Sequence, residues 1–209
     1  MIYILAAILI FGVLIALGLY NLLLFFALRE RIYLVYVAFV VSMAVGQLSL
    51  NGLGNEYIWP AFPAWGNVAL PSGFAATGFF GAIFTRLFLN TRHSNPRADK
   101  LILALAAGFA VAALGPALLP YRWAAILTSL LGAAFSAVAV AVGVHAQLRR
   151  HPGARYFLLA WSLLLVGVGM MALRNLGWLP TNLFTSYGMQ IGSALEMLLL
   201  SFALADRIQ

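Results

Sequence analysis

The stretch that decides the fold is LIFGVLIALGLYNLLLFFALRERIYLVYVAFVVSMAVGQLSLN, residues 9–51. Two long apolar runs lie on either side of three consecutive charged residues, Arg29, Glu30 and Arg31. A helix needs about 20 predominantly apolar residues to cross the hydrocarbon core of a bilayer, and both runs are long enough. The stretch therefore predicts two transmembrane helices joined by a short charged turn.

The composition of the whole chain agrees with this interpretation. Of its 209 residues 64% are hydrophobic and 8% charged, and the mean hydropathy is +1.00. A soluble domain carries about 25% charged residues. The absence of cysteine excludes disulfides, thiolate catalysis and Cys-ligated metals. The net charge of +7 comes from basic residues in short gaps between apolar runs, a pattern typical of membrane-protein loops and not of nucleic-acid binding.

Seven runs are long enough to span a bilayer. They cover residues 2–28, 32–51, 68–89, 101–119, 123–147, 156–173 and 185–205. The first lacks the basic leading segment of a signal peptide, so it is taken as a true span. Ten of the twelve Lys and Arg residues lie at one set of span ends, and only Arg122 and Arg174 lie at the other. The positive-inside rule then places the N-terminus outside and the C-terminus in the cytoplasm. The prediction is an all-α integral membrane protein, with residues 1–209 forming a single seven-transmembrane helix bundle.

Small residues at every fourth position predict close helix contacts within the bilayer. Three spans carry such a stripe: Gly73, Thr77, Gly81 and Thr85 in the third, Ala133, Ala137, Ala141 and then His145 in the fifth, and Gly188, Gly192 and then Glu196 in the seventh. The fifth and seventh spans therefore place His145 and Glu196 on packed faces.

The ionisable residues argue against the enzymatic chemistries that a seven-helix protein could carry. The only lysine, Lys100, lies in a loop, which excludes a retinal Schiff base in the membrane. Two of the three histidines also lie in loops, so a metal-binding set of three ligands is not expected. Ser193 and His145 lie at different depths of their spans, which argues against an intramembrane serine protease. We therefore predict no enzymatic activity, no metal and no cofactor.

Glu196 is the outstanding residue of the last span, because a lone carboxylate in mid-bilayer is costly unless it is neutralised or paired. At 1.5 Å per residue it lies about 16 Å from the Arg207 end of its helix, and Asn21 lies about 12 Å from the Arg29 end of the first helix. The two side chains could share a depth and a hydrogen bond. Three interpretations stay open: a packing lock, a relay that changes partner as helices shift, and a proton-linked transport site. Gly188, Gly192 and Ser193 belong to the same candidate region.

A second candidate region lies at the predicted outer side. Five residues there could line a small-molecule pocket, with the tryptophans as its walls and the charged groups as polar handles: Glu56, Trp59, Trp65, Arg174 and Trp178. Anchoring at the membrane interface explains the tryptophans equally well.

Motifs at both ends of the chain carry a family resemblance. The first span holds Tyr20 and Asn21 ahead of a charged turn, and the second ends in Leu50-Asn51-Gly52. The last span contains Gly192-Ser193-x-x-Glu196 and closes with Ala205-Asp206-Arg207. In these motifs the chain resembles the bacterial seven-transmembrane receptors with diverse intracellular signalling modules.

The resemblance implies a sensor in the bacterial inner membrane. It also implies an extracytoplasmic sensor domain before the first span, and a cytoplasmic output module such as a histidine kinase, diguanylate cyclase or phosphatase after the seventh. Such modules generally act as dimers, so a homodimer is expected. Neither part is in these 209 residues, and the chain is expected to be an excised membrane module or a minimal family member. The hypothesis is a transduction module whose seventh helix passes the signal through an output hinge, Asp206 and Arg207. The alternative is a small transporter that uses Glu196.

Overall fold

The structure, a computed structural model, describes residues 2–117, 119–175, 177–180 and 182–206. Within these ranges 88% of the residues are helical and none forms a strand, which confirms the all-α prediction. The described residues form seven long helices that follow the seven predicted spans in order, with the one-turn helix α4 (Thr91–Ser94) between the third and the fourth. The long helices are α1 (Ile2–Leu28), α2 (Arg31–Leu50), α3 (Pro63–Phe88), α5 (Pro96–Leu114), α6 (Tyr121–Leu148), α7 (Ala154–Asn175) and α8 (Leu183–Asp206).

The protein is a multi-pass membrane protein. Five segments of the described helices are long and apolar enough to cross a membrane: Leu9–Leu28, Arg31–Leu50, Ala64–Phe88, Tyr121–Leu148 and Tyr187–Leu204. Within α7, Ala154–Met170 is a shorter apolar segment. Helix α5 carries three charged residues, Arg97, Asp99 and Lys100, at its start, which reduces its uninterrupted apolar length. That all seven helices form one transmembrane domain stays a prediction.

Helix α5 begins five residues before the predicted span and ends five residues before its predicted end. Pro96 occupies the first turn, where a missing N–H costs nothing, and the Asn95 side chain accepts a hydrogen bond from the backbone N–H of Ala98 at 3.2 Å. At the other end Pro116 disfavours continuation of the helix, and Gly115–Ala117 form a 3-10 turn. Local capping therefore positions this helix more strongly than apolar content does.

The helices group into two compact units. We call Tyr20–Ala139 the central unit, and Met1–Leu19 with Val140–Gln209 the terminal unit. In the central unit α3 packs against both α2 and α5, whereas in the terminal unit α7 packs along α8.

The central unit confirms the predicted stripe of small residues on α3. Gly73, Thr77, Gly81 and Thr85 are all buried. A Cβ atom added to Gly73 would lie 2.7 Å from the backbone nitrogen of Gly46, so the backbones of α2 and α3 nearly touch. The Thr77 and Thr85 hydroxyls donate to the carbonyls four residues earlier, at 2.8 Å in both cases. Both threonines thus satisfy their polar groups within their own helix.

The predicted packing face of α6 is wrong. Ala133, Ala137 and Ala141 are exposed, while Phe135 and Ala139 are among the buried residues of this helix. Phe135 meets Phe109 of α5 edge to face, with 6.0 Å between ring centroids. A large ring offers more contact area than a row of methyl groups, and this explains why the helix turns that face inward.

Candidate functional site

Helices α7 and α8 pack against each other at glycines, and Glu196 lies on the same side of α8 as this contact. A Cβ atom added to Gly167 would collide with the carbonyl oxygen of Gly188. One added to Gly192 would lie 2.8 Å from the carbonyl oxygen of Leu163. Since no side chain fits between the two backbones, the helices are in direct contact over one turn. Glu196 follows Gly192 by four residues, so it lies on the same face of α8.

Glu196 is completely buried, with a relative exposure of 0%. Within the described part of the chain neither of its carboxylate oxygens has a hydrogen-bond partner. The adjacent Ser193 is also fully buried, and its hydroxyl donates to the carbonyl oxygen of Gln190 at 2.9 Å. Burial of a carboxyl group without a compensating hydrogen bond costs several kcal/mol. A hydrogen-bond donor brought to Glu196 would therefore reduce this cost.

Asn21 is fully buried as well, but it belongs to the central unit, whereas Glu196 belongs to the terminal unit. A hydrogen bond between them stays a prediction. The predicted output hinge cannot be placed, since Arg207 and the side chain of Asp206 lie outside the described part of the chain.

The second candidate region contains an open apolar groove at the start of α3, with a cavity volume of about 800 Å³. It is lined by Ile58, Trp59, Ala61, Phe62, Ala64, Trp65 and Val68. The π-helical turn Gly54–Ile58 leads into it. The Trp59 ring lies against Gly54, and its indole N–H donates to Oδ1 of Asn55 at 2.6 Å. The Asn55 side chain in turn lies against Gly66, so the wall of the groove is held in place.

The structure brings together two of the five predicted outer-side residues, Trp59 and Trp65. Glu56 is exposed on the π-helical turn and does not line the groove. The hydrogen bond to Glu56, followed by the charge of that residue, raises the pKa of the Tyr57 hydroxyl. Trp178 is 77% exposed in the terminal unit, and the side chain of Arg174 lies outside the described part of the chain.

A partly buried ionic cluster in the central unit was not predicted. Arg86 of α3 donates through Nε to Oδ1 of Asp99 at 2.8 Å and through Nη2 to Oδ2 at 3.3 Å. The hydroxyl of Thr91 adds a third hydrogen bond to Oδ1 at 2.7 Å. Burial acts to raise the pKa of Asp99, but the hydrogen bonds from Arg86 and Thr91 and the charges of Arg86 and Arg92 outweigh it, so the pKa is lowered.

This cluster clamps the end of α3 to the start of α5. Its signal in the sequence is the pair of opposite charges flanking the short polar turn 90–95. The positive-inside rule treats Arg86 only as a topology charge, because it counts cations and ignores their partners.

Comparison with known proteins identifies the family. The family described as 7TM diverse intracellular signalling matches residues 3–207, nearly the full length of the chain. No curated protein and no solved structure gave a significant match. The match agrees with the motifs at both ends of the chain and with the all-helical, membrane-spanning architecture. The chain therefore belongs to the 7TM diverse intracellular signalling family and is a membrane signalling receptor domain.

Proposed function

We propose that this domain transmits a signal across the membrane through a shift of α8 against α7, with Glu196 as the relay residue. The observation that carries the proposal is the buried carboxyl of Glu196, which has no hydrogen-bond partner in the described part of the chain. A second helix position that offered this group a partner would be lower in energy at that site. Two such positions of comparable total energy would make α8 a two-state element that a stimulus can bias.

The glycine contact supports motion of this kind. At Gly167 and Gly192 the two helices touch through their backbones, and at Gly188 the side chain of Met170 lies against the glycine. Methionine is unbranched and adaptable, so this surface permits sliding or rotation with little repacking. Larger side chains at the same positions would hold the helices in one register.

The direction of the signal follows from the charge distribution. Ten of twelve basic residues lie at one set of helix ends, which supports an N-terminus outside and a C-terminus in the cytoplasm of a bacterial inner membrane. The stimulus would then reach the domain from an extracytoplasmic sensor domain or through the Trp59–Trp65 groove. The output would leave through Asp206 and Arg207 to a cytoplasmic module in a homodimer, such as a histidine kinase or a diguanylate cyclase.

Spin labels on α7 and α8 test the relay. The chain has no cysteine, so Leu159→Cys and Phe202→Cys, both at exposed positions, give a unique label pair. In lipid nanodiscs we expect two distance populations between the labels. We expect Glu196→Gln, which removes the ionisable carboxyl group and keeps the shape, to collapse them towards one. Met197→Leu, at the neighbouring buried position, is the matched control and should leave both populations unchanged. A single distance that Glu196→Gln does not alter would reduce Glu196 to a packing residue.

The second candidate function is proton-linked transport, and the same buried carboxyl favours it. A transporter would carry protons across liposomes that contain the purified protein, and Glu196→Gln would abolish the flux. Measurement of internal pH with an entrapped dye separates the two functions. Proton flux that depends on Glu196 would favour transport over the relay. If no flux is measured and the spin labels show two distance populations, the relay is supported.

A further inference from the structure

We infer that the exposed face of α5 binds an anionic phospholipid, with the phosphate on Arg97 and Lys100 and an acyl chain along the residues that follow. We call Arg97, Lys100, Leu101 and Ala104 the α5 lipid face. All four are exposed, and they are spaced at i, i+3, i+4 and i+7, so they lie on one side of the helix. The inference goes beyond the proposed relay and does not depend on it.

The first turn of α5 separates its charges onto opposite faces. Asp99 lies on the buried face with Ile102, Ala106 and Phe109. Its two carboxylate oxygens are engaged by Arg86 and Thr91. Arg97 and Lys100 point away from this face, and within the described part of the chain neither forms an ion pair. The acid of this turn therefore does not neutralise the two cations beside it.

No other carboxylate is close in sequence to offset these cations. Asp99 is the only acid between residues 57 and 195. Arg92 of α4 is exposed nearby and adds a third positive charge, close enough to act on Asp99. The corner between α3 and α5 thus presents cations to its surroundings while its single acid is buried.

The remainder of the same helix side is apolar, and this identifies the partner as a lipid. Leu101 is 49% exposed and Val111 68% exposed, with the small residues Ala104 and Ala107 exposed between them. A phospholipid presents its groups in the same order, an anionic phosphate that is joined through glycerol to the acyl chains. Lys and Arg at helix ends reach phosphates in this way while their aliphatic stems stay in the apolar layer. A soluble acidic partner would gain nothing from the exposed leucine and valine.

Native mass spectrometry of the full chain in detergent tests the site. The protein is titrated with dioleoyl phosphatidylglycerol or with dioleoyl phosphatidylcholine, and the bound lipids are counted. We expect a preference for phosphatidylglycerol that Arg97→Gln with Lys100→Gln weakens by about tenfold. The matched control is Arg149→Gln with Arg150→Gln, which removes the same charge from another exposed turn and should change binding less than about twofold. The inference would be contradicted if the two double variants lost phosphatidylglycerol binding equally, or if the wild-type protein showed no preference between the two lipids.

Two further measurements separate a lipid from a free phosphate. Leu101→Gln keeps both cations but removes an acyl contact, and it should weaken phosphatidylglycerol binding a fewfold. Glycerol 3-phosphate, added as a soluble competitor, should fail to displace the lipid. Displacement by glycerol 3-phosphate, together with wild-type binding in Leu101→Gln, would show a site for phosphate alone and contradict the inference. Circular dichroism of each variant verifies that these exposed substitutions leave the helices intact.

Discussion

At the scale of single residues, two buried carboxylates behave in opposite ways. Asp99 accepts three hydrogen bonds from Arg86 and Thr91, whereas Glu196 accepts none within the described part of the chain. The free energy of burying a carboxylate is recovered only when such bonds are formed. Asp99 is therefore a stabilising residue, whereas the burial of Glu196 is not compensated by hydrogen bonds from the described residues.

Asp99 predicts a defined pH dependence of stability. Because its pKa is lowered in the folded protein, the unfolded chain takes up the proton first as the pH falls. Its contribution is thus fully present above its ordinary pKa of about 3.9, and is lost as the pH falls through the lowered value. At pH 7 we expect Asp99→Asn to cost about 1–3 kcal/mol of unfolding free energy, since Arg86 loses its carboxylate. Below pH 4 the difference between variant and wild type should shrink.

Unfolding in mixed micelles between pH 7 and pH 3, followed by tryptophan fluorescence, measures the difference in unfolding free energy between Asp99→Asn and the wild type. Thr91→Val is an informative companion, because it removes one hydrogen bond to Asp99 and keeps the ion pair. It should cost less than Asp99→Asn at pH 7. A gap between Asp99→Asn and wild type that stayed constant over the whole pH range would contradict the role of the ionised carboxylate.

At the scale of helices, the contact between α7 and α8 depends on the absence of side chains. Gly167 lies against Gly188, whereas Gly169, two residues further along α7, has open space where a Cβ would be. Substitution of either glycine by alanine gains the same general helix preference for alanine, about 1 kcal/mol per residue. The difference in stability between the two variants therefore reports the contact at Gly167.

We expect Gly167→Ala to push the helices apart and destabilise the protein by about 1–3 kcal/mol, as overpacking usually does. Gly169→Ala should be neutral or slightly stabilising. Thermal unfolding of both variants in the same detergent measures the difference. Equal effects of the two substitutions would show that the helices do not meet at Gly167.

At the scale of the whole molecule, the number of crossings and their direction can be tested together. The chain contains no cysteine, so single cysteines can be introduced at exposed positions without background. In intact cells we expect a membrane-impermeant maleimide to label Tyr57→Cys and Tyr121→Cys. Ser94→Cys and Gln147→Cys should be labelled only after permeabilisation. Labelling of Ser94→Cys and Tyr121→Cys from the same side would show that α5 does not cross the membrane.

Much of this architecture follows from the sequence, since a bilayer leaves few alternatives. With no water in the hydrocarbon core, each apolar run must satisfy its backbone groups internally, and the helix does this. The seven helices could therefore be predicted from apolar length, although their ends could not. Helix α5 begins at Pro96 and not at 101, because capping by Asn95 decides the start. The burial of Glu196 was expected from its position on the stripe that follows Gly188 and Gly192, and the structure shows that its oxygens lack partners among the described residues.

The sequence by itself determined the all-helical membrane fold and the family, because hydrophobic length and the motifs at the two ends are local properties of the chain. Only the tertiary structure decided which surfaces meet. Alanines spaced by four permit close packing on α6 but do not require it, and the larger Phe135 packs instead. The pairing of Arg86 with Asp99, and of Trp59 with Trp65 in one groove, likewise depends on how the helices and turns come together in space. Partner choice is a three-dimensional property, since a side chain is stabilised by whatever group the folded chain brings within hydrogen-bonding or van der Waals distance.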